Sequence, residues 1–115
     1  MPQIQSKCSE AAVVKKCTLY LRKQGWETFK IYTGGIPVGG KLAANPCKGI
    51  PDCIAFHIEK RKCIWIEYKN SEGGTVSPEQ KRWHSLLKIA KQHVFVVKSL
   101  EVLKQALEKV ENENQ

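Results

Sequence analysis

Three residues of this chain have types and spacing that could do chemistry together: Asp52, Glu67 and Lys69. Side chains alternate across a β-strand, so in the run Cys63–Lys69 the side chains of Glu67 and Lys69 share one face. Ile64, Ile66 and Tyr68 take the other face. The preceding run, Asp52–Ile58, reads as a second strand, and the charged stretch Glu59-Lys60-Arg61-Lys62 joins the two as a hairpin. A turn centred between Lys60 and Arg61 sets Asp52 opposite Lys69 and Ile54 opposite Glu67. Asp52 is then a diagonal neighbour of Glu67, about 7–8 Å away at the backbone, a gap that long side chains can close. Any even-numbered turn keeps Asp52 on the face of Glu67 and Lys69, whereas an odd-numbered one separates them.

Two carboxylates in close quarters repel each other, and burying them is costly. A divalent cation resolves the conflict. Hard oxygen ligands with positions left open suit Mg²⁺ or Mn²⁺. Such an ion polarises a phosphoryl oxygen and acidifies a bound water. A lysine beside it can orient the attacking water or stabilise the charge that develops at phosphorus. The competing reading is a plain cross-strand ion pair between Asp52 and Lys69 at a sheet edge.

The charge balance points to the same class of substrate. Lys and Arg number 19 against 11 Asp and Glu, a net charge of +8 on 115 residues. That surplus favours a polyanionic partner, with nucleic acid ahead of a membrane. The length suits one compact domain, residues 1–115, and 42% apolar residues fill a modest core. Lys41, Lys48, Lys81, Arg82 and Lys88 are candidates for following a phosphate backbone, as are Lys7, Lys15, Lys16, Arg22 and Lys23 on the first helix. The five cysteines, Cys8, Cys17, Cys47, Cys53 and Cys63, are odd in number and lack a Cys-x-x-Cys pair. The pattern is not that of a disulfide framework or a zinc site, and most of the five sit among apolar neighbours and read as small core residues. With no secretory pattern and no apolar run of bilayer length, a reducing cytoplasmic compartment is the expectation. His57, His84 and His93 are not spaced as a ligand set and read as surface or strand-end residues, and Gly39-Gly40-Lys41 lacks the phosphate-loop pattern.

The elements that must position these residues follow from periodicity. Ser6–Gln24 reads as a helix with Val14, Cys17 and Leu21 on its apolar stripe and Gly25 as its stop. Phe29–Thr33 is a short strand. Glycines and prolines in Gly34–Pro51 exclude regular structure there, and Asn70–Val76 is a polar loop. Ser77-Pro78-Glu79-Gln80 opens a helix, with Ser77 as N-cap and Gln80 completing a capping box. That helix runs to about Gln92, with Trp83, Leu87 and Ala90 inward. Val94–Val97 reads as a central strand covered on both faces, and Ser99 caps a last helix carrying Val102, Leu103, Ala106, Leu107 and Val110, followed by a polar tail from Glu111. The fold class is α/β in the order α-β-β-β-α-β-α, a mixed sheet flanked by helices. The strand ending at Lys69, the Ser77 helix and the Val94 strand form a right-handed parallel β-α-β unit.

Gly49-Ile50-Pro51-Asp52, then Ile66-Glu67-Tyr68-Lys69, then Ser77-Pro78-Glu79-Gln80-Lys81-Arg82-Trp83-His84 together resemble the virus-type replication–repair nuclease (VRR-NUC) family of the PD-(D/E)XK nuclease superfamily. The resemblance covers roughly Ser9 to Leu103. It implies a restriction-endonuclease-like core in which Asp52, Glu67 and the Tyr68 backbone carbonyl bind the metal and Lys69 is the catalytic lysine. It further implies Gln80 as a site residue approaching from its helix. Glu10, at the end of the first helix's buried stripe, matches the glutamate that completes the site, although the residues flanking it depart from the usual family start. Small standalone relatives in bacterial viruses are associated with cutting branched DNA, including four-way (Holliday) junctions, as homodimers. The resemblance therefore implies a Mg²⁺- or Mn²⁺-dependent DNA endonuclease of that kind. A nicking, flap or restriction-type nuclease is the alternative within the same chemistry, and a non-catalytic DNA-binding module is the alternative outside it.

Overall fold

The computed structural model describes residues 8–32, 35–43 and 47–113. Ser6, Lys7, Thr33, Gly34, Pro46 and the last two residues of the polar tail lie outside these. Helix α1 (Glu10–Lys23) begins at Ser9, whose hydroxyl accepts from the Ala12 N–H, so the cap sits three residues beyond Ser6. Its buried stripe is Val13, Cys17 and Leu21, which replaces Val14 by its neighbour; both valines are compatible with the spacing, and Val14 is half-buried. Gly25 follows the helix as expected.

Strand β1 (Glu27–Lys30) starts two residues ahead of the expected Phe29. The segment expected to be irregular holds a hairpin instead, β2 (Ile36–Val38) against β3 (Lys41–Ala43). Gly39 and Gly40 form its two-residue turn with φ of +54° and +79°, the left-handed values that a tight hairpin demands at both positions. The glycines that were breakers in the sequence pattern are here the reason that two strands can meet. The element order is therefore α-β-β-β-α-β-α with this hairpin added after β1.

Strands β4 (Cys53–His57) and β5 (Lys62–Tyr68) pair antiparallel, with Cys53 opposite Ile66 and His57 opposite Lys62. The turn is four residues, Ile58–Arg61, centred between Glu59 and Lys60 rather than between Lys60 and Arg61. Its last residue, Arg61, carries φ of +54°. Continuing this register brings Asp52 directly opposite Glu67, closer than the diagonal placement expected. The loop is even-numbered, so all three candidate residues keep one face.

Helix α2 (Pro78–Ile89) opens with the expected capping box but ends at Ile89, three residues before Gln92, with Ala90 as its C-cap. It buries no residue, and Ala90 is exposed rather than inward. Strand β6 (His93–Val97) pairs parallel with β5, which establishes the β-α-β unit with parallel strands. The sheet order is β1-β4-β5-β6, so β6 is an edge strand and not a central one, with Val97 its sole fully buried residue. Helices packed near both faces of an edge strand ask for the same apolar run as a central strand, which is why the pattern could not tell them apart. Helix α3 (Leu100–Asn112) is capped by Ser99 and runs two residues into the expected tail.

The core lies between one sheet face and α1 with α3. Ile64, Ile66 and Tyr68 of β5 meet Cys17, Leu21, Leu103, Leu107 and Val110 there. The other face is more lightly covered. Helix α2 stands on that side, where Gln80 meets Lys69 and Gln92, just past the helix, accepts from the Trp65 indole at 3.3 Å. Glu67 is the exception on this face: it is as buried as the isoleucines beside it, at 2% exposure. None of the described helices is long and apolar enough to cross a membrane.

Candidate active site

Strand alternation and the β4–β5 register deliver Asp52, Glu67 and Lys69 to one place, where they touch. The Tyr68 N–H donates to Asp52 Oδ2 at 2.9 Å, which fixes that carboxylate at the mouth of the strand pair. The Asp52 carboxylate lies beside that of Glu67. Lys69 Nζ stands 3.8 Å from Glu67 Oε2 and donates to Gln80 Oε1 at 3.2 Å. The same Gln80 oxygen accepts from the Ser77 N–H at 2.9 Å, completing the helix cap. The competing reading of an Asp52–Lys69 ion pair is not what forms: the lysine turns to Glu67 and Gln80.

The electrostatics are those of a site short of positive charge. Burial, and after it the neighbouring Asp52, push the Glu67 carboxyl up to about 8, against a partial opposing pull from Lys69 and a further small push from Glu10. Glu67 Oε1 is buried with no hydrogen-bond partner. A buried, unpartnered carboxylate oxygen carries a large desolvation penalty unless a cation or proton meets it. Asp52 and Glu67 thus fit a divalent cation that takes one or two carboxylates and keeps its other positions for water and phosphate oxygens, the habit of Mg²⁺. Among the described residues no group of three or more His, Cys, Asp or Glu side chains is placed to hold a metal ion together.

Glu10 is exposed and lines the same cleft as Asp52, but does not join the two carboxylates in one metal group. Of the basic candidates, Lys41, Lys48, Lys81, Arg82 and Lys88 are all exposed. Arg82 stacks over the Trp83 ring 5.7 Å from its centre.

Sequence reasoning missed several contributors. Gly49 carries φ of +92° and packs so tightly on the first turn of α2 that a Cβ there would come within 2.5 Å of the Glu79 carbonyl carbon and 2.8 Å of the Gln80 nitrogen. The Trp83 indole N–H donates to the Lys48 carbonyl at 3.0 Å. These two contacts bind the segment leading to Asp52 to the helix that carries Gln80. The tripeptide Gly49-Ile50-Pro51 was a readable signal; its target on α2 was not. His84, one turn beyond Gln80, is half-buried rather than a surface residue. Its Nε2 is buried without a partner, and burial, then Lys88 and Lys69, push its ring below the usual histidine range. His57 is also buried: its Nε2 meets the Gln24 carbonyl at 3.1 Å and its ring meets Trp26 edge-on, a structural role. His93 pairs with Glu113 at 3.0 Å at the far end of β6.

Cys17 and Cys53 are core residues, Cys8 and Cys63 are half-buried, and Cys47 is exposed. Comparison with family models, with curated proteins and with solved structures finds no match.

Proposed function

We propose that the chain is a metal-dependent nuclease that hydrolyses phosphodiester bonds in DNA. The observation that carries this reading is the pairing of two adjacent carboxylates, one of them buried with an orphaned oxygen, with a lysine held in place by a helix-cap amide. The motif resemblance and the +8 charge support the same substrate class. Asp52 and Glu67 would hold Mg²⁺ or Mn²⁺, with the Tyr68 carbonyl as a further ligand implied by the resemblance. The bound ion supplies Lewis-acid polarisation of the phosphoryl oxygen and a more acidic water.

The residues of the chain have separate tasks in this reading. Asp52 is held by the Tyr68 N–H with its carboxylate beside that of Glu67. Lys69 cannot be a metal ligand, since an ammonium has no lone pair to give. It offers a positioned positive charge and a proton donor for the charge that develops on the phosphoryl oxygens. Gln80 holds that ammonium at the site without adding a third carboxylate. The finer reading, a homodimer selective for branched DNA such as four-way junctions, rests on the resemblance.

Incubation of purified protein with labelled four-way junction, flap and linear duplex, with and without Mg²⁺, tests the proposal. Mg²⁺-dependent cleavage of at least one substrate is the expected result, with the junction cut fastest. Binding without cleavage at any Mg²⁺ or Mn²⁺ concentration would leave a non-catalytic DNA-binding module.

A further inference from the structure

Asp52 also stands at one end of a groove of about 710 Å³ that runs between α1 and the β1–β4 strand pair. Its helix wall is Glu10, Val14, Thr18 and Arg22, four residues at intervals of four on one ridge of α1. At 1.5 Å rise per residue that ridge is about 18 Å long. Its strand wall is Thr28 and Lys30, and Lys30 pairs directly with Cys53, the residue after Asp52. The Ile31 N–H also donates to the Asp52 carbonyl at 2.7 Å, which ties the strand bearing Lys30 to the Asp52 backbone.

The groove is polar in a directional sense. Carboxylates stand at its Glu10 and Asp52 end, where Lys30 faces them from β1 beside Cys53, and Arg22 stands at the far end of the helix ridge. Its floor holds an unsatisfied donor: the Tyr68 hydroxyl is buried with no hydrogen-bond partner, the Thr18 hydroxyl approaching it outside hydrogen-bond geometry. Among the described residues lining it there is no exposed aromatic ring to stack a base and no amide to read a base edge. What such walls can recognise is phosphate.

Resting on the nuclease reading above, we infer that this groove carries the sugar–phosphate backbone of one substrate strand away from the cut, with Arg22 and Lys30 each neutralising a phosphate. The length of the ridge matches about five nucleotides of a stacked strand at 3.4 Å each. The contacts are to backbone alone, so they orient the strand and contribute no sequence preference.

The test is salt-dependent binding of fluorescein-labelled single-stranded and branched DNA, with EDTA present so that nothing is cut. Three proteins are compared: the parent, Arg22→Gln/Lys30→Gln, and Lys62→Gln/Lys109→Gln. The last removes the same charge from two residues that do not line the groove. Each phosphate contact contributes about 0.9 on duplex arms and about 0.7 on single strands to the slope of log K against log salt, so the groove variant should lose about 1.8 and about 1.4 from that slope and bind at least tenfold more weakly near 0.1 M salt. The control pair should change either quantity far less. Thermal melts of all three proteins verify that the substitutions leave the fold intact. Equal losses in both double variants would overturn the groove in favour of diffuse surface attraction, and an unchanged slope in the groove variant would overturn it outright. Mg²⁺-dependent cleavage by the parent judges the nuclease reading separately. A parent that binds but never cuts removes that reading and leaves the groove to the slopes, whereas a parent that binds no DNA removes both.

Discussion

Replacing Glu67 by Gln should make the metal-free protein more stable at neutral and alkaline pH. The carboxyl is buried beside Asp52 and pushed up to about 8, from an ordinary 4.5. A group whose pKa is raised by folding contributes most to stability below its unfolded value, and that contribution is lost as pH rises through the folded value. The loss here runs from about pH 4.5 to about pH 8. At 1.36 kcal/mol per pH unit the shift corresponds at pH 8 to an upper bound of roughly 4 kcal/mol, and Asp52 and Lys69 can relax around a changed neighbour, so about 2–3 kcal/mol is the expected gain for Glu67→Gln. In a chain of this length that is on the order of 10 °C in melting temperature. Urea denaturation of both proteins in EDTA, at pH 4.5, 7 and 8.5, measures it. The two should be nearly equal at pH 4.5 and diverge upward. His84 titrates in the opposite sense, but it is present in both proteins and cancels in the difference. Mg²⁺ should reverse the order, stabilising the parent and leaving the variant unmoved. Equal stability of parent and variant at pH 8.5 in EDTA would refute the claim that Glu67 is held at an electrostatic cost.

Asp52→Asn should abolish Mg²⁺-dependent cleavage while the melting temperature stays within a few degrees of the parent, because the amide oxygen still accepts from the Tyr68 N–H; near-normal turnover would remove Asp52 from the site. Lys69→Ala should keep DNA affinity and lower the single-turnover rate about 10²-fold or more. A structural ion pair predicts the reverse, with a loss of about 1 kcal/mol or less and the rate retained. Gly49→Ala should destabilise the protein by about 2 kcal/mol or more, since it combines a left-handed backbone with a backbone clash at Glu79 and Gln80. Chemical denaturation reads that loss, and an alanine variant as stable as the parent would mean that the α2 contact gives way freely.

How much of this was legible in the sequence can be judged residue by residue. The strand face shared by Glu67 and Lys69 and the cap formed by Ser77 with Gln80 depend on local periodicity and local hydrogen bonding, and both stand in the structure as read. The position of Asp52 depends on where a turn centres, which local pattern fixes only to within a residue. The left-handed Arg61 moved it, and Asp52 came to face Glu67 directly. Gly39-Gly40 was misjudged for a physical reason: the residue that ends a strand also permits the tightest hairpin, and only the pairing partner decides between them. The contacts of Lys48 and Gly49 with α2, the burial of His84 and the groove along α1 arise between segments distant in the chain. No spacing rule reaches across that distance, so those parts of the site were not there to be read.

Gln80 shows why a helix-start signal can conceal a demand unrelated to helices. One amide oxygen serves the first turn of α2 and the ammonium of Lys69 at once. A capping box accepts glutamate as readily as glutamine, so helix formation alone leaves the identity of this residue degenerate. The lysine removes the degeneracy. A glutamate there would cap α2 equally well, yet it would draw Lys69 into a stronger ion pair and crowd a third negative charge against Glu67. The amide keeps the two tasks apart, and fraying of a single helical turn would disarm the lysine without touching any of the acidic residues.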